Sequence, residues 1–136
     1  MIYFYANNNE PYTLSTSNTN CYVRDDDGNV ATFENISFQE NFSILHIDHF
    51  ALTTDVRNKG RGMEVLRAFA KVVAKHQPPI QQIKFSLSRR STGSTESLAN
   101  GREQLLRRIG VKDVGQEKPN SRDVIVVTGT WYRDDW

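Results

Sequence analysis

The sequence has 136 residues, 38% of them hydrophobic and 24% charged, with 17 Lys and Arg against 16 Asp and Glu for a formal net charge of +1. This length suits one domain spanning 1–136 with a single core, and the composition excludes both wholesale disorder and a global field that would gather nucleic acid. No apolar run approaches the ~20 residues that span a bilayer, and Met1-Ile2-Tyr3-Phe4-Tyr5 lacks the positive flank of a signal peptide, so a cytoplasmic location with no membrane partner is expected.

Ile2 to Ala6 is aromatic and β-branched and predicts a short strand, followed by a loop at Asn7-Asn8-Asn9-Glu10-Pro11. Thr13 to Asn20 is polar without helical spacing and reads as irregular. Cys21-Tyr22-Val23-Arg24 resumes as a strand. Cys21 is the only cysteine, which rules out an internal disulfide and predicts a buried or edge-strand thiol. Asp25-Asp26-Asp27-Gly28-Asn29 carries an Asp-Gly step suited to a hairpin, because glycine accepts positive φ. Three aspartates also suggest a calcium loop, but no later carboxylate stands at the needed spacing, so a solvated turn is expected. The returning strand is Val30 to Phe38.

Phe42 to Thr53 is apolar on both faces near its end, which predicts a central strand covered on two sides. From Gly62 the period changes: Met63, Leu66, Phe69, Ala70 and Val73 fall on one helical face as far as Lys75, and His76-Gln77-Pro78-Pro79 ends it. Ile80 to Ser88 is a strand with Ile83, Phe85 and Leu87 on one face. After a polar loop, a second helix from Glu96 to Ile109 places Leu98, Leu105 and Ile109 together and stops at Gly110. Val111 to Glu117 and Asp123 to Tyr132 form a last strand pair, with Val124 to Val127 buried. A strand-helix-strand unit inside this order predicts a mixed α/β domain: a mostly antiparallel sheet with a central parallel pair and two flanking helices.

The turn Arg57-Asn58-Lys59-Gly60-Arg61-Gly62 lies between a buried strand and the first turn of a helix, where free amides carry partial positive charge. Gly60 and Gly62 clear the approach of a phosphate to the backbone, and Arg57, Lys59 and Arg61 add charge, so a pyrophosphate fits. The alternative is that the two glycines serve only close packing of helix on strand. Walker-type loops are excluded because no Gly-Lys-Ser or Gly-Lys-Thr ends the turn, and the dinucleotide fingerprint lacks its third glycine.

Ile47-Asp48-His49-Phe50-Ala51-Leu52 followed by Asp55-Val56-Arg57-Asn58-Lys59-Gly60-Arg61-Gly62 resembles the central Arg/Gln-x-x-Gly-x-Gly/Ala motif of the GNAT superfamily of N-acetyltransferases. The resemblance runs from about Leu45 to Val73, and the order of elements continues it to Trp131. It implies acetyl-CoA as cosubstrate. Amides of Arg57, Asn58, Lys59, Gly60, Arg61 and Gly62 would hold the pyrophosphate. Main-chain groups of Phe50, Ala51 and Leu52 would pair with the pantetheine arm, where this strand splays from Ile83 to Leu87. The implied reaction moves an acetyl group to a primary amine on a small molecule, a peptide or an aminoacyl group.

Three features depart from the family pattern. Leu106 stands where a tyrosine is common, Ala99 takes the register of a common asparagine beside Asn100, and the amino-terminal third lacks the two helices that normally shape the acceptor pocket. The alternative function is therefore a GNAT-like module without turnover that inhibits or bridges a macromolecule; a homodimer is left open.

An attacking amine must be neutral, so a proton acceptor is required near the splay. His46, Asp48, His49 and Glu34 are the candidates, with His49 and Asp48 preferred as catalytic. On a regular strand His46 and Asp48 share one face and His49 takes the other. That offset makes a His46 and His49 zinc pair unexpected, and no metal is assigned. Arg89, Arg90, Arg102, Arg107 and Arg108 cluster around the second helix and read as a solvated face. Otherwise they would hold the 3′-phosphate of CoA or an RNA.

Overall fold

Asp25 accepts the amide of Asp27 at 2.8 Å, and Gly28 follows at φ +130°, so the Asp-Gly step closes the first hairpin as its residues require. The computed structural model describes residues 2–7, 9–52, 61–87, 96–117 and 125–136, with main chain only at 96–98. In chain order these form β1 (Tyr3–Tyr5), β2 (Cys21–Asp25), β3 (Gly28–Gln39), β4 (Ile44–Leu52), α1 (Arg61–His76), β5 (Gln82–Leu87), α2 (Glu96–Arg108), β6 (Lys112–Glu117) and β7 (Val126–Tyr132). Arg133–Asp135 closes the chain as a 3-10 turn.

One seven-stranded sheet has the order β1-β2-β3-β4-β5-β7-β6. Among the described residues only β4 and β5 are neighbours in parallel; the other adjacent pairs are antiparallel. The crossovers through α1 and α2 both step toward the β6 edge, so the right-handed rule places both helices on the same face. Phe69 on α1 stacks on Phe33 of β3 with centroids 4.4 Å apart, and Phe33 meets Phe50 of β4 at 4.8 Å. The irregular segment around Tyr12 and Leu14 joins this face: Tyr12 touches Phe69, and Gln77 donates to the Leu14 carbonyl at 2.8 Å.

Among the described residues, the other face is left to partly exposed side chains, Tyr22, Thr32, His46, Lys84, Ser86 and Thr130. The expectation that β4 is covered on two sides is thus corrected. Its apolar end reflects a change of parity: Leu45 and Ile47 point inward, and then Phe50 does. β3 makes the same change between Phe33 and Ile36, where Asn35 adopts φ +54° and turns its amide to the Asn20 side chain.

Helix α1 buries Gly62, Val65, Leu66, Phe69, Ala70 and Val73. The stripe on α2 differs from the expected one: Ala99, Arg102, Leu106 and Ile109 are buried, while Leu105 is only partly so. Gly110 at φ +98° ends this helix, its amide bonding the Arg107 carbonyl and that of Val111 the Leu106 carbonyl, which satisfies two orphan acceptors. No helix among the described residues is long and apolar enough to cross a membrane.

Candidate functional site

The parallel ladder of β4 and β5 runs from Ile44↔Gln82 to Ile47↔Phe85 and stops there. Yet β4 stays paired with β3 as far as Leu52, and β5 with β7 as far as Leu87. The two strands therefore part beyond Ile47 and Phe85, and Asp48 to Leu52 keeps main-chain groups with no β5 partner, which need another one. The Phe50 carbonyl accepts a hydrogen bond from Arg102 Nη2 of α2 at 3.4 Å. Phe50, Ala51 and Leu52 all lie on this parted stretch.

Arg57, Asn58, Lys59 and Gly60 lie outside the described residues; Arg61 and Gly62 open α1. Arg61 is not a free cation. Its Nη2 pairs with Asp25 at 2.9 Å in the β2–β3 turn, and its Nε lies 3.2 Å from Glu64. Asp25 is held below the usual carboxylate range, mainly by the Asp27 amide and then by the Arg61 charge. Gly62 faces inward, and a Cβ there would lie 3.0 Å from Leu105 and 3.3 Å from Leu52. This glycine serves the close approach of α1 to α2 and β4, as the packing alternative expects of it.

On the open face at the apex of the split, three polar side chains meet. Asp48 Oδ1 lies 3.0 Å from His46 Nδ1, and His46 Nε2 lies 2.9 Å from Ser86 Oγ of β5. The His46 side chain keeps 18% of its surface exposed and that of Asp48 keeps 47%. A carboxylate beside Nδ1 holds a proton on that nitrogen, which leaves Nε2 as the acceptor of the Ser86 hydroxyl proton. His46 and Asp48 share a face as their spacing predicts. His49, partly buried opposite Glu34 in the β3 register, falls inside the change of parity, where strict alternation no longer assigns a face.

Ser86 was not nominated by the sequence. A hydroxyl on a strand face carries no signal of its own, and the register of β5 against β4 is fixed by the crossover. At the far end of β4 a hollow of about 450 Å³ is lined by Tyr22, Arg24, Thr32, Ala51 and Leu52 among others.

The second arginine cluster divides. Arg102 is buried, Arg107 reaches Glu103 at 3.4 Å and the Val114 carbonyl at 3.1 Å, and Arg108 is exposed; Arg89 and Arg90 lie outside the described residues. Leu106 is fully buried, Ala99 faces inward and Asn100 faces out to Gln116. Among the described residues no group of side chains could hold a metal ion.

No protein-family model matches this sequence, and no curated protein matches it in sequence. The fold does match solved structures. A GNAT-family acetyltransferase from Bacillus anthracis is similar with a TM-score of 0.62 at 13% identity, over 87% of this chain and 68% of that one. The aminoglycoside acetyltransferase AAC(6')-Ib, in complex with ribostamycin and coenzyme A, gives 0.61 at 13% identity over 85% and 64%. A mutant form of the spermidine/spermine N-acetyltransferase from Vibrio cholerae gives 0.59 at 12% identity over 93% and 81%. The chain thus has a GNAT-like acetyltransferase fold, and it spans about two thirds of the length of the first two of these proteins.

Proposed function

We propose that this protein transfers an acetyl group from acetyl-CoA to a primary amine. The observation that carries the reading is the parting of β4 from β5 beyond Ile47 and Phe85, which leaves Asp48 to Leu52 paired with β3 but not with β5. A pantetheine arm, with its amides spaced along an extended chain, is a fitting partner for such an edge. Structural neighbours of the same fold, solved with coenzyme A or acetyl-CoA, support it. In this reading the amides and cations of Arg57 to Gly62 hold the pyrophosphate, with Arg61 already half committed to Asp25.

Asp48 acts in this reading with His46 as the proton acceptor, and His49 adjoins them from the next position. The hollow beside Tyr22 and Arg24 receives the amine acceptor. Calorimetry with acetyl-CoA tests the donor site, and release of free thiol with a panel of amines tests transfer. Absence of binding to the native protein defeats the reading.

A second reading, a module of this fold without turnover, is favoured by Leu106: it is fully buried where the family commonly places a tyrosine able to protonate the leaving thiolate. Acetyl-CoA binding without thiol release on any amine would select it.

A further inference from the structure

We infer that Ser86 is a nucleophile, which takes the acetyl group as an ester before an amine receives it. This rests on the donor reading above for the identity of the natural acyl donor, but the geometry stands apart from it. Asp48 Oδ1 to His46 Nδ1 is 3.0 Å and His46 Nε2 to Ser86 Oγ is 2.9 Å, the order of contacts that activates a serine in acyl-transfer enzymes. The three side chains come from two strands. Ser86 follows Phe85, the last residue of β5 paired with β4, so its hydroxyl sits where the split begins. A bond that merely tied the strands together would need only the imidazole and the hydroxyl. Asp48 adds control of the tautomer, which matters when a proton moves. The stretch of β4 that no longer pairs with β5 lies alongside.

Ser86 Oγ bonds to the carbonyl carbon of a thioester as its proton passes to His46 Nε2; the carbon–sulfur bond breaks, and the departing sulfur takes that proton. In the second half a neutral amine attacks the ester of Ser86, gives its proton to His46, and the Oγ leaves and is reprotonated, yielding an amide and the original serine. Lys84, paired with His46 in the register, is the neighbouring amine that would betray non-specific acetylation instead.

The test uses the full chain and p-nitrophenyl acetate, an ester that needs no CoA site. The expected result is a burst of nitrophenol stoichiometric with protein, and an acetyl group mapped by fragmentation to Ser86. Ser86→Ala should abolish both, His46→Gln should slow the burst at least about a hundredfold, and Ser86→Cys should keep an adduct that is now labile to hydroxylamine. A burst unchanged in Ser86→Ala, or an acetyl group found on Lys84 alone, overturns the inference. Calorimetry with acetyl-CoA separates it from the donor reading. Binding with no adduct on Ser86 sinks the nucleophile and spares the donor site; an adduct from the small ester without acetyl-CoA binding supports the nucleophile and removes the donor.

Discussion

Arg102 on α2 donates to the carbonyl of Phe50 on β4 at 3.4 Å, and the residue as a whole is 9% exposed. Its guanidinium therefore engages an acceptor that the proposed pantetheine arm would use. A ligand pairing with Phe50 has to displace it.

The long bond is worth about 1 kcal/mol net, so removing it should strengthen binding by no more than roughly tenfold. Arg102→Met keeps the aliphatic bulk but leaves the Phe50 carbonyl without this donor, which costs about 1–3 kcal/mol where the acceptor is buried. We expect Arg102→Met to bind acetyl-CoA a few-fold more tightly in calorimetry, with a lowered melting temperature. Weaker binding would mean that Arg102 grips the donor instead of yielding to it.

The elements were legible because their periods are clean: the hairpin at Asp27-Gly28, the stripe from Leu66 to Val73 and the stop at Gly110 all fall where local chemistry puts them. On α2 Ile109 is buried as expected, but the inward place of Arg102 was missed because hydropathy counts arginine as polar, whereas this residue is buried with Ala99 and Leu106. At the site, the shared face of His46 and Asp48 followed from spacing alone. The place of His49 did not, since Asn35 on the neighbouring strand changes the parity. Ser86 was out of reach because the pairing of β5 with β4 depends on how α1 packs.

Asp25 links the hairpin to the start of α1. Its carboxyl is held low in the fold by the Asp27 amide and Arg61, so the unfolded chain binds a proton more readily than the native one in mild acid. The resulting stability is present above the ordinary Asp pKa of about 4 and is lost as pH falls through the lower native value. Asp25→Asn should melt below the parent at neutral pH, and the two curves should converge once pH falls below the lowered native value. Thermal unfolding across that range checks it; a gap that widens in acid would contradict the assignment.

Gly129 on β7 is required for a different reason from the turn glycines. A Cβ there would stand 2.6 Å from Val111 Cγ1 and 3.4 Å from Val114 Cγ2, against the chain leaving α2. Gly129→Ala should cost about 1–3 kcal/mol by overpacking. Because Val111 supplies the nearest atom, adding Val111→Ala to Gly129→Ala should cost less than the two single losses together. Denaturant unfolding of the four proteins in that cycle measures the coupling, and simple additivity would place the strain elsewhere.

Asp48 gives the most direct probe of proton handling. Asparagine preserves its shape but presents either an amide donor to Nδ1 or a neutral acceptor, so the imidazole loses both its charge partner and its fixed tautomer. With 47% of the Asp48 side chain exposed, solvent screens part of its field, and the effect should be smaller than for a buried carboxylate. For acetyl transfer in the proposed reaction, Asp48→Asn should lower kcat about a hundredfold at neutral pH and leave the KM for acetyl-CoA nearly unchanged. His49→Gln separates the two carboxylate-side candidates: it should leave kcat within about threefold if His46 is the acceptor. A collapse of turnover in His49→Gln with Asp48→Asn unaffected would move the proton acceptor to His49 and detach the His46–Asp48 pair from the chemistry.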